Sequence, residues 1–182
     1  MKMTEDTVSQ DVFYKGRILK FHVDKVKLED GRLSSRECVD HPGGVCIAAL
    51  TDGGELYFVR QYRYPYREVL LELPAGKLEP GEDPLEAGKR ELREETGAEG
   101  ADYRSFGKLY PSPGYTNEVI WLYACRVKAL GRTDLDDGEF LEVEKIPLEK
   151  AVQAVLSGGI ADAKTQVLVL KLAELRRSGL KD

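Results

Sequence analysis

Residues 45–50, Val-Cys-Ile-Ala-Ala-Leu, form an apolar run with no polar position to face water. A strand half-exposed at the surface alternates apolar and polar side chains, so a strand without alternation must be covered on both faces. Helices or a second sheet must therefore pack on either side of it, which requires a layered fold with this strand at its centre. The other short β-rich segments, 17–21, 23–28, 34–41, 55–62 and 68–74, supply its neighbours. They are separated by turn signals at Asp30-Gly31, Pro42-Gly43-Gly44 and Asp52-Gly53-Gly54. Further strands are expected at 102–110, 118–130 and 141–147, and two closing helices at roughly 148–157 and 162–177.

The 182 residues suit one domain, with 1–40 as N-terminal strands and 41–182 as the core. No apolar run approaches the roughly 18 residues of a membrane span, and the polar start, Met1 to Gln10, has no signal-peptide core. Three cysteines without C-x-x-C spacing, and only two histidines, read as reduced thiols rather than a disulfide framework or a zinc site. A cytoplasmic location is expected. The net charge of −5 argues against nucleic acid as a partner, while an anionic substrate stays compatible if a metal supplies positive charge.

Residues 76–98 carry seven carboxylates in twenty-three positions. The punctuation of a helix is clear there: Asp83 as N-cap, Pro84 at the first helical position, Glu86 as the acidic member of a capping box and Gly97 as the stop. Leu85, Gly88 and Leu92 recur as a buried stripe, Gly88 admitting a neighbouring backbone. At about 100° per residue, Glu95 lies about 40° from Glu91 and Glu94 about 60° the other way, so all three share a side. Like charges at this spacing repel. Arg90, four residues from both Glu86 and Glu94, offsets part of that, and a hard cation bound by several oxygens would offset the rest. A solvated Glu/Arg-rich surface helix has the same composition, and the spacing decides between the two.

That spacing is Gly76, Glu82, Arg90-Glu91-Leu92, Glu94-Glu95 and Gly97-Ala98. It resembles the Nudix box of Nudix hydrolases at every fixed position. The resemblance implies an α+β fold: an α/β/α sandwich with a mixed central sheet, an added N-terminal antiparallel sheet and a loop-helix-loop metal site. It further implies hydrolysis of a diphosphate linked to another moiety, with Mg2+, or Mn2+ in its place, as cofactor. Glu91 and Glu95 become the principal metal ligands, joined by Glu94, the carbonyl of Ala75 and Glu82, which closes the loop or reaches the metal through water. Arg90 orients the glutamates. Metal-activated water is the nucleophile.

Outside the box, residues 36–145 resemble the ADP-ribose pyrophosphatase subgroup, Pro113 matching its Ser-Pro-Gly segment. In that subgroup a glutamate in the acidic loop is the general base. Glu139 matches best and Glu142 is the alternative, while Asp134, Asp136, Asp137 and Glu139 could equally solubilise a loop. The implied reaction is ADP-ribose to AMP and ribose 5-phosphate. Other nucleoside diphosphate sugars, GDP-mannose among them, and a non-catalytic nucleotide-sugar sensor are the alternatives. Arg63 reads as a surface arginine or as a fork for diphosphate or ribose oxygens, and the resemblance favours the fork. Arg36 and Glu118 are further substrate-binding candidates. Tyr115 sits where dinucleoside-polyphosphate hydrolases also carry a tyrosine. Trp121 lies in an apolar strand and reads as core. A homodimer whose N-terminal strands complete the pocket is implied by the resemblance alone.

Overall fold

In this computed structural model residues 3–135 and 137–179 are described, and Asp136 of the acidic loop lies outside them. In chain order the strands are β1 (Asp6–Lys15), β2 (Lys20–Lys27), β3 (Leu33–Asp40), β4 (Gly44–Leu50), β5 (Glu55–Arg63), β6 (Glu68–Glu72) and β7 (Ala75–Lys77). Helix α1 (Pro84–Thr96), β8 (Ala98–Leu109), β9 (Ile120–Leu130), β10 (Leu141–Pro147), α2 (Leu148–Leu156) and α3 (Ala163–Ser178) follow.

Two units are distinguished. The first holds the described residues up to Gly43 and the segment Tyr110–Val119. Its strands β1, β2 and β3 form an antiparallel sheet in that order. The segment docks on β3: Val39 N–H donates to the Tyr115 carbonyl at 2.8 Å, and Asn117 Nδ2 donates to Asp40 Oδ1 at 2.9 Å. The expected break between strands over 17–21 and 23–28 is absent: 16–19 form a turn, where Gly16 N–H reaches the Leu19 carbonyl, and Lys20 and Phe21 already belong to β2. The unforeseen strand is β1, all ten residues of which are exposed. Without a buried face it has no alternation to read.

The second unit is built on β4. Its sheet runs β10-β5-β4-β9-β8, with β6 beside β5 and β7 beside β4; β4 and β9 are parallel and the other pairs antiparallel. The apolar run splits by parity, as a strand's period of two requires. Cys46, Ala48 and Leu50 enter a core with Leu148, Ala151 and Val155 of α2 and Leu168, Val169 and Leu172 of α3. Val45, Ile47 and Ala49 enter another with Ala87 and Leu92 of α1. Both faces are thus covered by helices, and the fold is α+β with a mixed central sheet, an antiparallel N-terminal sheet and three helices.

Burying a leucine or isoleucine side chain of this kind contributes roughly 1.5–3 kcal/mol. That anchoring fixes α1 against β4. Gly88 faces the side chains of Ile47 and Val45 rather than backbone; a Cβ there would sit 2.5 Å from Ile47 Cδ1. On the opposite face, Asp162 caps α3 through the Thr165 N–H, and Thr165 Oγ1 accepts from the Leu73 N–H at 2.9 Å. The strand leading into β7 is thereby tied to the start of α3. No helix among the described residues is long and apolar enough to cross a membrane.

Candidate active site

Helix α1 begins at the Asp83 cap its sequence marks, but the expected capping box is not formed, Glu86 pairing with Lys89 instead. Asp83 Oδ1 accepts from the N–H groups of Leu85 and Glu86 at 2.9 and 3.2 Å, while the Glu86 carboxylate accepts from Lys89. It ends at Gly97, in the left-handed region at φ 72°, where a Cβ would also strike the Gly131 carbonyl at 2.6 Å. Two independent constraints therefore require glycine there. With Leu92 buried on β4, the neighbouring turn points Glu91, Glu94 and Glu95 along one side.

Arg90 organises these carboxylates. Its Nε and Nη2 donate to the two oxygens of Glu82 at 2.9 and 3.1 Å, its Nη1 to Glu91 Oε1 at 2.8 Å and Glu94 Oε2 at 3.0 Å, and Nη2 also reaches the Lys77 carbonyl. The planar fork fits this use. Glu82 in turn accepts from the Glu79 N–H at 2.9 Å and closes the loop ahead of the helix. The hydrogen bond from Arg90 holds the Glu82 carboxyl below the usual range. Gly76 explains itself here: a Cβ would lie 1.9 Å from the Glu91 carboxylate, so any side chain would displace Glu91.

Glu91 and Glu95 are short of positive charge. Burial raises the Glu91 carboxyl, Arg90 opposes this, and the charges of Glu94 and Glu139 add to the rise. Glu95 is 2% exposed; burial and then Glu91 push it up to about 8, although the Ala75 N–H donates to Glu95 Oε2 at 3.1 Å. Crowded carboxylate oxygens, one of them held by the Ala75 N–H, are the donor type that suits a hard divalent cation.

The acidic loop is drawn onto this helix. Gly131 N–H donates to the Gly97 carbonyl at 2.7 Å and Asp134 N–H to the Glu94 carbonyl at 2.9 Å. Farther along, Glu139 Oε1 accepts from Gln61 Nε2 of β5 at 3.1 Å, and its charge acts on both Glu91 and Glu95. Glu142 is exposed on β10 opposite Arg60. Gln61 was not foreseen, because nothing in a strand sequence marks a partner 78 residues away.

Arg63 closes on Glu72, its Nε and Nη2 each 2.6 Å from a carboxylate oxygen. Glu72 is 1% exposed and also accepts from Lys164, which bonds Asp162 at 2.8 Å. Arg63 thus heads a half-buried ionic chain, and its charge is felt at Glu95. The sequence hint for Glu72 was a carboxylate set between Leu71 and Leu73.

The remaining candidates belong to the first unit. Arg36 forks onto Glu5 and also bonds Ser34 Oγ and the Ser35 carbonyl. Pro113 is exposed in a turn in which the Ser112 carbonyl accepts from Tyr115 and Thr116. Glu118 is half-buried, 3.5 Å from His41 Nδ1, and Tyr115 is exposed. In the second unit, Trp121 is partly buried on the α1 side of the sheet, with Lys108 Nζ 4.4 Å from its ring centroid.

A NUDIX domain profile matches residues 40–167. The ADP-ribose pyrophosphatase of Bacillus subtilis is 37% identical over 177 residues, covering 94% of this chain and 96% of that protein. The methanol dehydrogenase activator of Bacillus methanolicus is 38% identical over 91% of this chain and 90% of its own length. The ADP-ribose pyrophosphatase of Mycobacterium tuberculosis is 34% identical over 87% and 78%, respectively. With the box, its arginine hub and its glycine clearances in place on a matching profile, the chain belongs to the Nudix family.

Proposed function

We propose that this Nudix pyrophosphohydrolase hydrolyses the diphosphate of ADP-ribose to AMP and ribose 5-phosphate. The observation that carries the proposal is the Arg90 hub, which gathers Glu82, Glu91 and Glu94 beside buried Glu95, in a box whose carboxylates are all present. Relatives named ADP-ribose pyrophosphatases, aligned over most of the chain, support this choice of substrate.

Glu91, Glu95 and the Ala75 carbonyl would hold Mg2+, with Glu94 and Glu82 at its margin and Mn2+ as a substitute. When bound, such an ion withdraws charge from the diphosphate oxygens and stabilises the leaving phosphate. Arg90 keeps Glu82, Glu91 and Glu94 in register. Glu139, steadied at Oε1 by Gln61, takes the proton from the attacking water at Oε2 as a P–O bond of the diphosphate bridge breaks. Arg63, fixed by Glu72, supplies positive charge towards phosphate or ribose oxygens, and Arg36, Pro113 and Glu118 are assigned to substrate recognition.

The chain acts as a single functional module and as a homodimer, with residues 1–40 at the dimer contact. The exposed apolar side chains of Val12, Phe13 and Tyr14 on β1 support that contact. Unpaired, buried Cys46 and Cys125 support a cytoplasmic location.

The test is a substrate panel with Mg2+, reading AMP or sugar-phosphate release. ADP-ribose is expected to give the highest kcat/KM. Weak turnover of ADP-ribose beside rapid turnover of GDP-mannose would reassign the substrate, and tight binding of nucleotide sugars without turnover of any would make the protein a sensor.

A further inference from the structure

We propose a second metal site, on the N-terminal sheet, in which His22, Asp24 and Cys38 bind a borderline transition-metal ion of the Zn2+ class. Strand geometry assembles it without any loop. His22 and Asp24 lie two apart on β2 and so share a face, while Cys38 on β3 is directly opposite His22 and Gln10 on β1 directly opposite Asp24. One ligand atom from each of His22, Asp24 and Cys38 lies within 4.8 Å of the others. His22 is buried, and Asp24 and Cys38 are half-buried.

The hydrogen bonds around His22 point the same way. Nδ1 is 2.8 Å from Asp24 Oδ1, and Nε2 is 3.5 Å from Asp40 Oδ1. Protonated at Nε2, the ring donates towards Asp40, but then Nδ1 and Asp24 Oδ1 are two acceptors side by side, sharing the amide of Gln10 at 3.0 and 3.1 Å. Protonated at Nδ1, the ring satisfies Asp24 but turns a lone pair towards the Asp40 carboxylate. Neither neutral tautomer satisfies both sides. A cation at Nδ1 resolves the conflict, because it takes the two lone pairs at once and leaves Nε2–H for Asp40. That is the arrangement of a metal-bound histidine steadied by an outer carboxylate. Asp40 is itself held by Lys20 Nζ at 2.6 Å.

The donor chemistry separates this site from the box. Imidazole, carboxylate and thiolate suit Zn2+ and its neighbours, whereas Mg2+ prefers oxygen alone. Asp24 and a Cys38 thiolate neutralise a divalent ion, and three protein ligands leave a fourth position for water. Burial, then the charges of Asp24 and Asp40, raise the Cys38 thiol, so an incoming ion must displace its proton. Bound there, the ion links β2 to β3.

Cobalt reports such a site directly. The full chain, stripped with a chelator and titrated with Co2+, is expected to develop a thiolate-to-cobalt charge-transfer band. The band should persist in a Glu91→Gln, Glu95→Gln double variant, be abolished by Zn2+ and survive excess Mg2+. It should vanish in Cys38→Ser and in His22→Gln, each checked for folding by circular dichroism. Asp40→Asn, which leaves every ligand in place, should weaken binding by about 10–100-fold. No band in the wild-type chain would overturn the proposal and leave His22 as a hydrogen-bonding neighbour of Asp24 and Asp40. A band unchanged in Cys38→Ser would overturn it equally, since the thiolate would then come from Cys46 or Cys125.

Discussion

In the proposed function Glu139 and Glu91 act together, yet the fold positions them by different routes. Glu91 is placed by its helix, so its direction could be read from spacing, while the role proposed for it comes from the family resemblance. Glu139 is placed by a hydrogen bond from a distant strand residue, Gln61, and by a loop whose backbone is tied to the end of α1. Glu139→Gln keeps size and the capacity to meet Gln61 but cannot accept the water's proton, so kcat is expected to fall by about 10²–10⁴-fold with KM nearly unchanged. Steady-state AMP release from ADP-ribose measures this, and a kcat near that of the wild type would move the base role elsewhere, Glu142 first. The box carboxylates were legible because a helix converts sequence interval into direction. The Arg63–Glu72 pair and the Gln61–Glu139 bond were not, since each depends on strand pairing or loop course that no local interval encodes.

Helix α1 owes its start to a single side chain. Asp83 satisfies two N–H groups that the helix itself cannot, and Pro84 removes a third requirement for a partner. Asp83→Ala should lower stability by about 1 kcal/mol, read as a shift in the urea midpoint with no change in slope. A stability loss confined to this element should also loosen Glu82, which closes the same loop. Elements differed in legibility for a physical reason. The central strand β4 and helix α1 bury regular patterns and were evident, whereas β1 buries nothing and β7, three residues long, is too short to display a period. Both are strands because their neighbours offer hydrogen bonds, not because their residues demand it.

At the scale of the whole molecule, the ionic chain Arg63–Glu72–Lys164–Asp162 joins residues 92 apart in sequence at Glu72 and Lys164. Burial alone would raise the Glu72 carboxyl, but Arg63 and Lys164 outweigh it and the net shift is downward. A carboxyl lowered in the folded state contributes stability in full above its unfolded value and loses it as pH falls through the folded value. The wild-type chain should therefore weaken in acid below the ordinary carboxylate range. Glu72→Gln should be less stable at neutral pH, by at most about 3–5 kcal/mol, because it takes the carboxylate from half-buried Arg63 and leaves buried Lys164 with Asp162 alone, and less sensitive to acid. Urea midpoints measured across pH test both expectations.

The Leu73 N–H, committed to the hydroxyl of fully buried Thr165, has a consequence for dynamics. This amide can exchange its hydrogen for deuterium only when α3 lifts from the sheet, so it is a built-in gauge of how often the final helix opens. Thr165→Val should hasten exchange at Leu73 while the amides of β5 keep their protection. Ala75, two residues further on, is held separately, its N–H by Glu95 and its strand by β4, so an opening of α3 should register at Leu73 and leave the strand beneath the box in place.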